Sequence, residues 1–100
     1  MINLLSTVNN IFILGVKGNG TSAIANILSS FGKNIQGSDV KEDFITKPLL
    51  DKIGVVPKVF GEVTSFEGID LVIYSTSVQE DNPDLMLARE SGVICMTYPE

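Results

Sequence analysis

The sequence predicts an α/β fold: an open parallel sheet of five strands with helices on both faces. Three observations carry this expectation. Apolar runs alternate along the chain with segments of helical period. Two of those runs, Ile11-Phe12-Ile13-Leu14 and Leu71-Val72-Ile73-Tyr74, contain no charge, as strands covered on both faces require. Glycine or proline punctuates the segments between them. One hundred residues, 44% of them hydrophobic and 19% charged, suffice for one small globular domain.

Residues 1–10 hold no basic stretch followed by a cleavage site, so they read as a loosely held lead-in rather than a secretory signal. The first strand is Ile11–Leu14, stopped by Gly15. Thr21–Phe31 reads as a helix with Ala23, Ile24, Ile27, Leu28 and Phe31 on its buried stripe and Gly32 just past its end. Asn34–Gly37 gives a second strand, with Ser38-Asp39 at its end. Phe44, Ile45, Leu49, Leu50 and Ile53 mark a second helix closed by Gly54; Pro48 is tolerated only in a first turn, which puts the start near Thr46 or Lys47. Val55–Phe60 is a third strand and Leu71–Tyr74 a fourth. Asn82-Pro83-Asp84 then has the chemistry of a helix start: an N-cap, a first-turn proline and an acid that suits the helix dipole. That helix runs to Ser91, Gly92 closes it, and Val93–Thr97 is the fifth strand.

Composition excludes several functions. A net charge of -5 argues against nucleic acid and anionic membrane surfaces as partners. Histidine is absent, which removes Ser-His and Cys-His nucleophile pairs and histidine metal ligands. A single cysteine, Cys95, rules out an internal disulfide and reads as a buried, unreactive thiol. No apolar run is long enough to span a bilayer, and the chain reads as cytoplasmic.

Chemistry concentrates between the first strand and the first helix. Gly15-Val16-Lys17-Gly18-Asn19-Gly20 gives a tight turn whose backbone N–H groups can approach an anion, with the helix dipole adding about half a positive charge. Thr21 and Ser22 add hydroxyl donors, so a diphosphate is the natural ligand. Asp39 follows Gly20 by 19 residues and ends the second strand, where an acid accepts from ribose hydroxyls in Rossmann-like folds. Lys17 interrupts the plain glycine spacing, either as a point charge near a phosphate or as a solvated loop side chain. Ser75, Thr76 and Ser77 follow the fourth strand, where hydroxyls reach a phosphate or sugar, or else satisfy their own turn. Glu80 and Asp81 read as solvated loop rather than as metal ligands, and Tyr74 and the five Phe as core or rim rather than a stacking platform. These residues support a nucleotide site without saying which nucleotide, NAD(P) among them, and leave open a fold with no ligand at all.

Three stretches resemble one family. Gly15-Val16-Lys17-Gly18-Asn19-Gly20-Thr21-Ser22 resembles the Gly-x-Gly-Gly-x-Gly-Met-Ser loop of the Mur ligases. Gln36-Gly37-Ser38-Asp39 resembles their Ser-Gly-Ser-Asp, and Ser75 to Pro83 resembles their Ser-Ser-Ala-Ile-x-x-x-Asn-Pro. The resemblance covers Ile11–Glu100 and points to the branch acting on UDP-N-acetylmuramate, in peptidoglycan precursor synthesis. It implies ATP-dependent amide-bond formation through an acyl phosphate, assisted by Mg²⁺, in a three-domain enzyme. Only the first, UDP-binding domain is matched here, over residues 11–100. The ATP-binding Gly-x-x-x-x-Gly-Lys-[Ser/Thr] sequence is lacking, so this piece is expected to bind nucleotide sugar without cofactor and to catalyse nothing alone. The implied binding residues are Gly15, Lys17, Gly18, Asn19, Gly20, Thr21, Ser22, Asp39, Ser75, Thr76 and Ser77. Two positions depart from the family. Lys17 replaces a glycine, and Gly61-Glu62 stands where relatives have Gly-His, placing a carboxylate that Lys17 is expected to offset.

Overall fold

A computed structural model of the chain describes residues 7–42 and 45–98. Five strands, β1 (Asn10–Leu14), β2 (Asn34–Asp39), β3 (Lys58–Val59), β4 (Leu71–Ser75) and β5 (Ile94–Tyr98), form one sheet in the order β3-β2-β1-β4-β5. All four pairings are parallel. Helices α1 (Asn19–Ser30), α2 (Lys47–Lys52) and α3 (Pro83–Ser91) connect them.

The apolar runs are buried on both faces, as their lack of charge requires. Ile11 and Ile13 of β1 pack with Ala25 and Leu28 of α1 and Leu50 of α2. Phe12 and Leu14 point the other way, to Leu85 and Ala88 of α3 and to Val63 and Phe66 of the β3–β4 connection. Phe12 and Phe66 meet edge to face, centroids 5.0 Å apart. The expected α/β architecture, with helices on both faces, is therefore the one observed.

The buried stripe of α1 agrees with the expected one at Leu28, which is in the core, and at Ile24, which packs against it, and differs elsewhere. Thr21, Ser22, Ala25 and Leu28 face the sheet, while Ile27 is 50% and Phe31 68% exposed. Small side chains let the helix lie close to the strands, and the Thr21 hydroxyl donates to the Gly15 carbonyl at 2.5 Å, setting the rotation. The C-terminus follows the glycine rule: Gly32 (φ +81°) and Lys33 donate back to Ser29 and Leu28. α2 starts at Lys47 with Pro48 in its first turn and ends at Lys52, with Gly54 (φ +76°) just past its cap, as its chemistry dictates. Phe44, assigned to that helix from sequence, lies outside the described residues.

The third strand is two residues, not the whole of Val55–Phe60. Pro57 lacks the N–H that a longer ladder needs, and Val55 donates instead to Leu50 to close α2. β2 extends further than expected and includes Ser38 and Asp39. The end of the lead-in is held rather than loose: Val8 is buried, and its carbonyl accepts from Lys33 Nζ at 2.6 Å. Asp70 accepts from the amides of Asn9 and Asn10, and those bonds hold its carboxyl below the ordinary 3.8.

Candidate nucleotide cleft

The strand order reverses at β1, whose neighbours are β2 and β4. Beyond the carboxyl ends of these strands lies a cleft of about 460 Å³, the position where open α/β sheets hold ligands. Its walls come from four connections: Gly15 and Gly18 after β1, Asp39 and Val40 at the end of β2, Phe60 after β3, and Ser77, Val78, Gln79, Asp81 and Asn82 after β4.

The first wall is a turn whose amides are mostly consumed internally. Gly15 takes φ +78°, and a Cβ there would press on Ser75 at 3.0 Å. The amides of Gly15 and Val16 donate to the Ser38 carbonyl at 2.8 and 3.3 Å, and Gly18 donates to Gly15. Helix α1 then starts at Asn19 with no side-chain cap and no acid in its first turn. An uncapped start carries amides without helical partners and the positive end of the helix dipole. Gly18, its N-cap, is on the cleft wall.

Asp39 is buried and bonded through both oxygens. Oδ2 accepts from the Lys17 amide at 2.9 Å and Oδ1 from the Val40 amide at 2.7 Å. One carboxylate thus ties the β1–α1 turn to β2. It retains acceptor capacity, since an ionised carboxylate has about four lone-pair sites.

Lys17 is neither solvated nor on the cleft wall. It is 9% exposed, and Nζ donates to the carbonyls of Val40 (2.8 Å), Lys41 (3.4 Å) and Glu42 (2.7 Å). Glu62 Oε1 accepts from the Val59 amide at 3.0 Å. These bonds run to main-chain groups, and none joins Lys17 to Glu62.

The other walls are also braced from behind. The Phe60 amide donates to the Asp39 carbonyl and the Gly61 amide to Asp84 Oδ1, both at 2.9 Å. Asp84 is the acid in the first turn of α3, as read; it is 1% exposed, and its Oδ2 has no partner among the described residues. Asn82 caps α3, accepting from Asp84 and Leu85. Arg89 grips both carboxylate oxygens of Glu80, at 3.1 and 3.2 Å, and donates to the Tyr74 hydroxyl at 3.0 Å. The Glu80 carboxylate raises the Arg89 guanidinium above its usual range. This pair holds the loop after β4 against α3. Cys95 is half-buried on β5, and burial pushes its thiol up.

Of the residues singled out from sequence, Gly15, Gly18, Asp39 and Ser77 line the cleft. Thr21 and Ser22 are buried with hydroxyls donating to Gly15 and Asn19 carbonyls, so they shape the turn. Ser75 bonds Ser77, Oγ to Oγ at 2.9 Å, and Thr76 is exposed beside them. A Cβ on Gly20 would come within 2.5 Å of the Tyr98 ring, so that glycine admits β5 against α1. Sequence reasoning missed Phe60, Gln79 and Asn82 as lining residues and set Asp81 aside as solvated loop. Their position just after β3 and β4 was the available signal.

Residues 10–100 match the sequence profile described as "Mur ligase family, catalytic domain". The chain is 41% identical over 91 residues to the UDP-N-acetylmuramate–L-alanine ligase of Campylobacter jejuni, and 35% over 88 residues to that of Lawsonia intracellularis. It spans 21% and 19% of the length of those two relatives, while the matches cover 91% and 88% of this chain. The crystal structure of UDP-N-acetylmuramate–alanine ligase from Thermotoga maritima superposes with a TM-score of 0.71 at 31% identity, over 88% of this chain and 20% of that one.

Proposed function

The chain belongs to the Mur ligase family, and from that premise we propose that it is the nucleotide-sugar-binding domain of a UDP-N-acetylmuramate–L-alanine ligase. Residues 11–100 form that domain, at the amino terminus of the enzyme. The observation that carries the proposal is the uncapped start of α1, free of first-turn acids, opening through Gly18 onto the cleft at the sheet's switch point. Such a helix start binds an anion through main-chain amides. No lysine or arginine lines the cleft among the described residues, so the diphosphate is held by those amides rather than by ion pairs. Asp39 and Asp81 repel phosphate and instead suit donors, such as ribose hydroxyls or the base N–H. Phe60 offers an apolar face beside them.

In this reading the domain supplies binding and orientation only. ATP and Mg²⁺ belong to other domains of the ligase, where the carboxylate is activated and the amine attacks. The named relatives use L-alanine, and the same amine is proposed for the whole enzyme.

The test is thermal unfolding of the chain with UDP-N-acetylmuramate, UDP and NADH in parallel. At 100 times its dissociation constant a ligand stabilises by about 2.7 kcal/mol, on the order of 10 °C or more for a domain of this size. The uridine compounds are expected to give that shift and NADH none. Stabilisation by NADH alone would assign the cleft to a dinucleotide.

A further inference from the structure

The amide, carbonyl and ammonium of Lys17 all engage one short segment among the described residues. Its amide donates to Asp39 Oδ2 at 2.9 Å, its carbonyl accepts from the buried Thr46 hydroxyl at 2.6 Å, and its ammonium reaches the carbonyls of Val40, Lys41 and Glu42. These partners lie between residues 39 and 46, the start of the crossover from β2 to α2. A buried ammonium needs such acceptors, and three carbonyls converging on it need a donor.

We propose that Lys17 is a positioning residue: it fixes the chain leaving β2, and with it the cleft wall formed by Asp39 and Val40, and so sets affinity for the nucleoside half of the ligand. The inference rests on the reading of the cleft as a nucleotide-sugar site. A glycine at position 17 keeps the two backbone bonds but leaves the Val40–Glu42 carbonyls without the ammonium. Ligand binding would then have to order that wall, which weakens affinity. The ammonium lies off the cleft wall, so inorganic pyrophosphate, bound at the α1 start, is affected little.

Lys17→Met keeps the aliphatic stem and removes the donors. The measurements are backbone ¹⁵N order parameters at Val40–Glu42 without ligand, and dissociation constants for UDP and for inorganic pyrophosphate at about 0.15 M salt, where exposed charges are screened beyond about 8 Å. Order parameters are expected to fall from about 0.85 to below about 0.6. Affinity for UDP is expected to fall about tenfold, the scale of one charge-assisted bond, with pyrophosphate unchanged within about twofold. Equal losses for both ligands would make Lys17 a phosphate-binding charge and overturn the proposal, as would unchanged order parameters. If Lys17→Met does not fold, Lys17→Arg carries the same test: the charge is kept, but the planar fork does not fit three carbonyls gathered on one nitrogen. Arginine is then expected to weaken UDP similarly, and full UDP affinity with it would overturn the proposal. A wild-type chain that binds neither ligand refutes the cleft reading, while the order parameters still decide whether Lys17 fixes the segment.

Discussion

Replacing Gly37 by alanine is expected to destabilise the chain by about 3 kcal/mol, a large part of the margin of a domain this size. Gly37 sits in β2 opposite Ile13 of β1. A Cβ there would lie 2.8 Å from Val16 Cβ and Cγ1 and 2.9 Å from the Ile13 carbonyl oxygen. Neither neighbour can give way. Ile13 is in the central strand, and Val16 is fully buried and bonded to the Ser38 carbonyl through its amide. β1 and β2 would have to separate at the point where the β1–α1 turn is anchored. Urea unfolding should show the loss, and thermal unfolding a fall of roughly 12 °C or more. A cost below about 1 kcal/mol would show that the strands part easily there.

Asp39→Ala is expected to act on stability and on binding together. The substitution leaves the amides of Lys17 and Val40 without their acceptors; the Lys17 amide is buried, and a buried orphan donor costs about 1–3 kcal/mol, whereas the Val40 amide is only partly buried. Asp39→Asn keeps the size but offers one acceptor oxygen for two donors, so it should recover only part of the loss. Affinity for UDP should fall about tenfold or more in either variant, since the donor-binding wall is both altered and loosened. Calorimetric titration, run where the variant is still folded, checks this. Affinity for pyrophosphate that falls as far as that for UDP would remove Asp39 from the nucleoside end of the site.

Much of this was readable from residue order. Uncharged runs at 11–14 and 71–74 identify the two central strands, because only a doubly covered strand dispenses with polar residues. Gly32, Gly54 and Gly92 end helices with positive φ, as read. The cleft's place followed from a glycine turn and an acid in register. What could not be read was orientation. Helical period alone favoured the bulky stripe of α1, but close packing on the sheet selected Ser22 and Ala25 and left Phe31 outside. Lys17 looked like a phosphate charge or a solvated side chain, and only the fold shows three carbonyls converging on it. Phe60 lines the cleft because β3 ends at Val59; read as the last residue of a Val55–Phe60 strand, it was not placed beyond a strand end.

Main-chain amides at the start of α1 are predicted to receive the diphosphate. Titration of ¹⁵N-labelled chain with UDP-N-acetylmuramate, followed amide by amide, tests this most directly. The largest shifts are predicted at Gly18, Asn19, Gly20 and Thr21, reproduced by pyrophosphate alone, with Asp39, Val40 and Ser77–Asn82 responding only when the nucleoside is present. Saturable shifts elsewhere, with residues 18–21 unmoved, would contradict it.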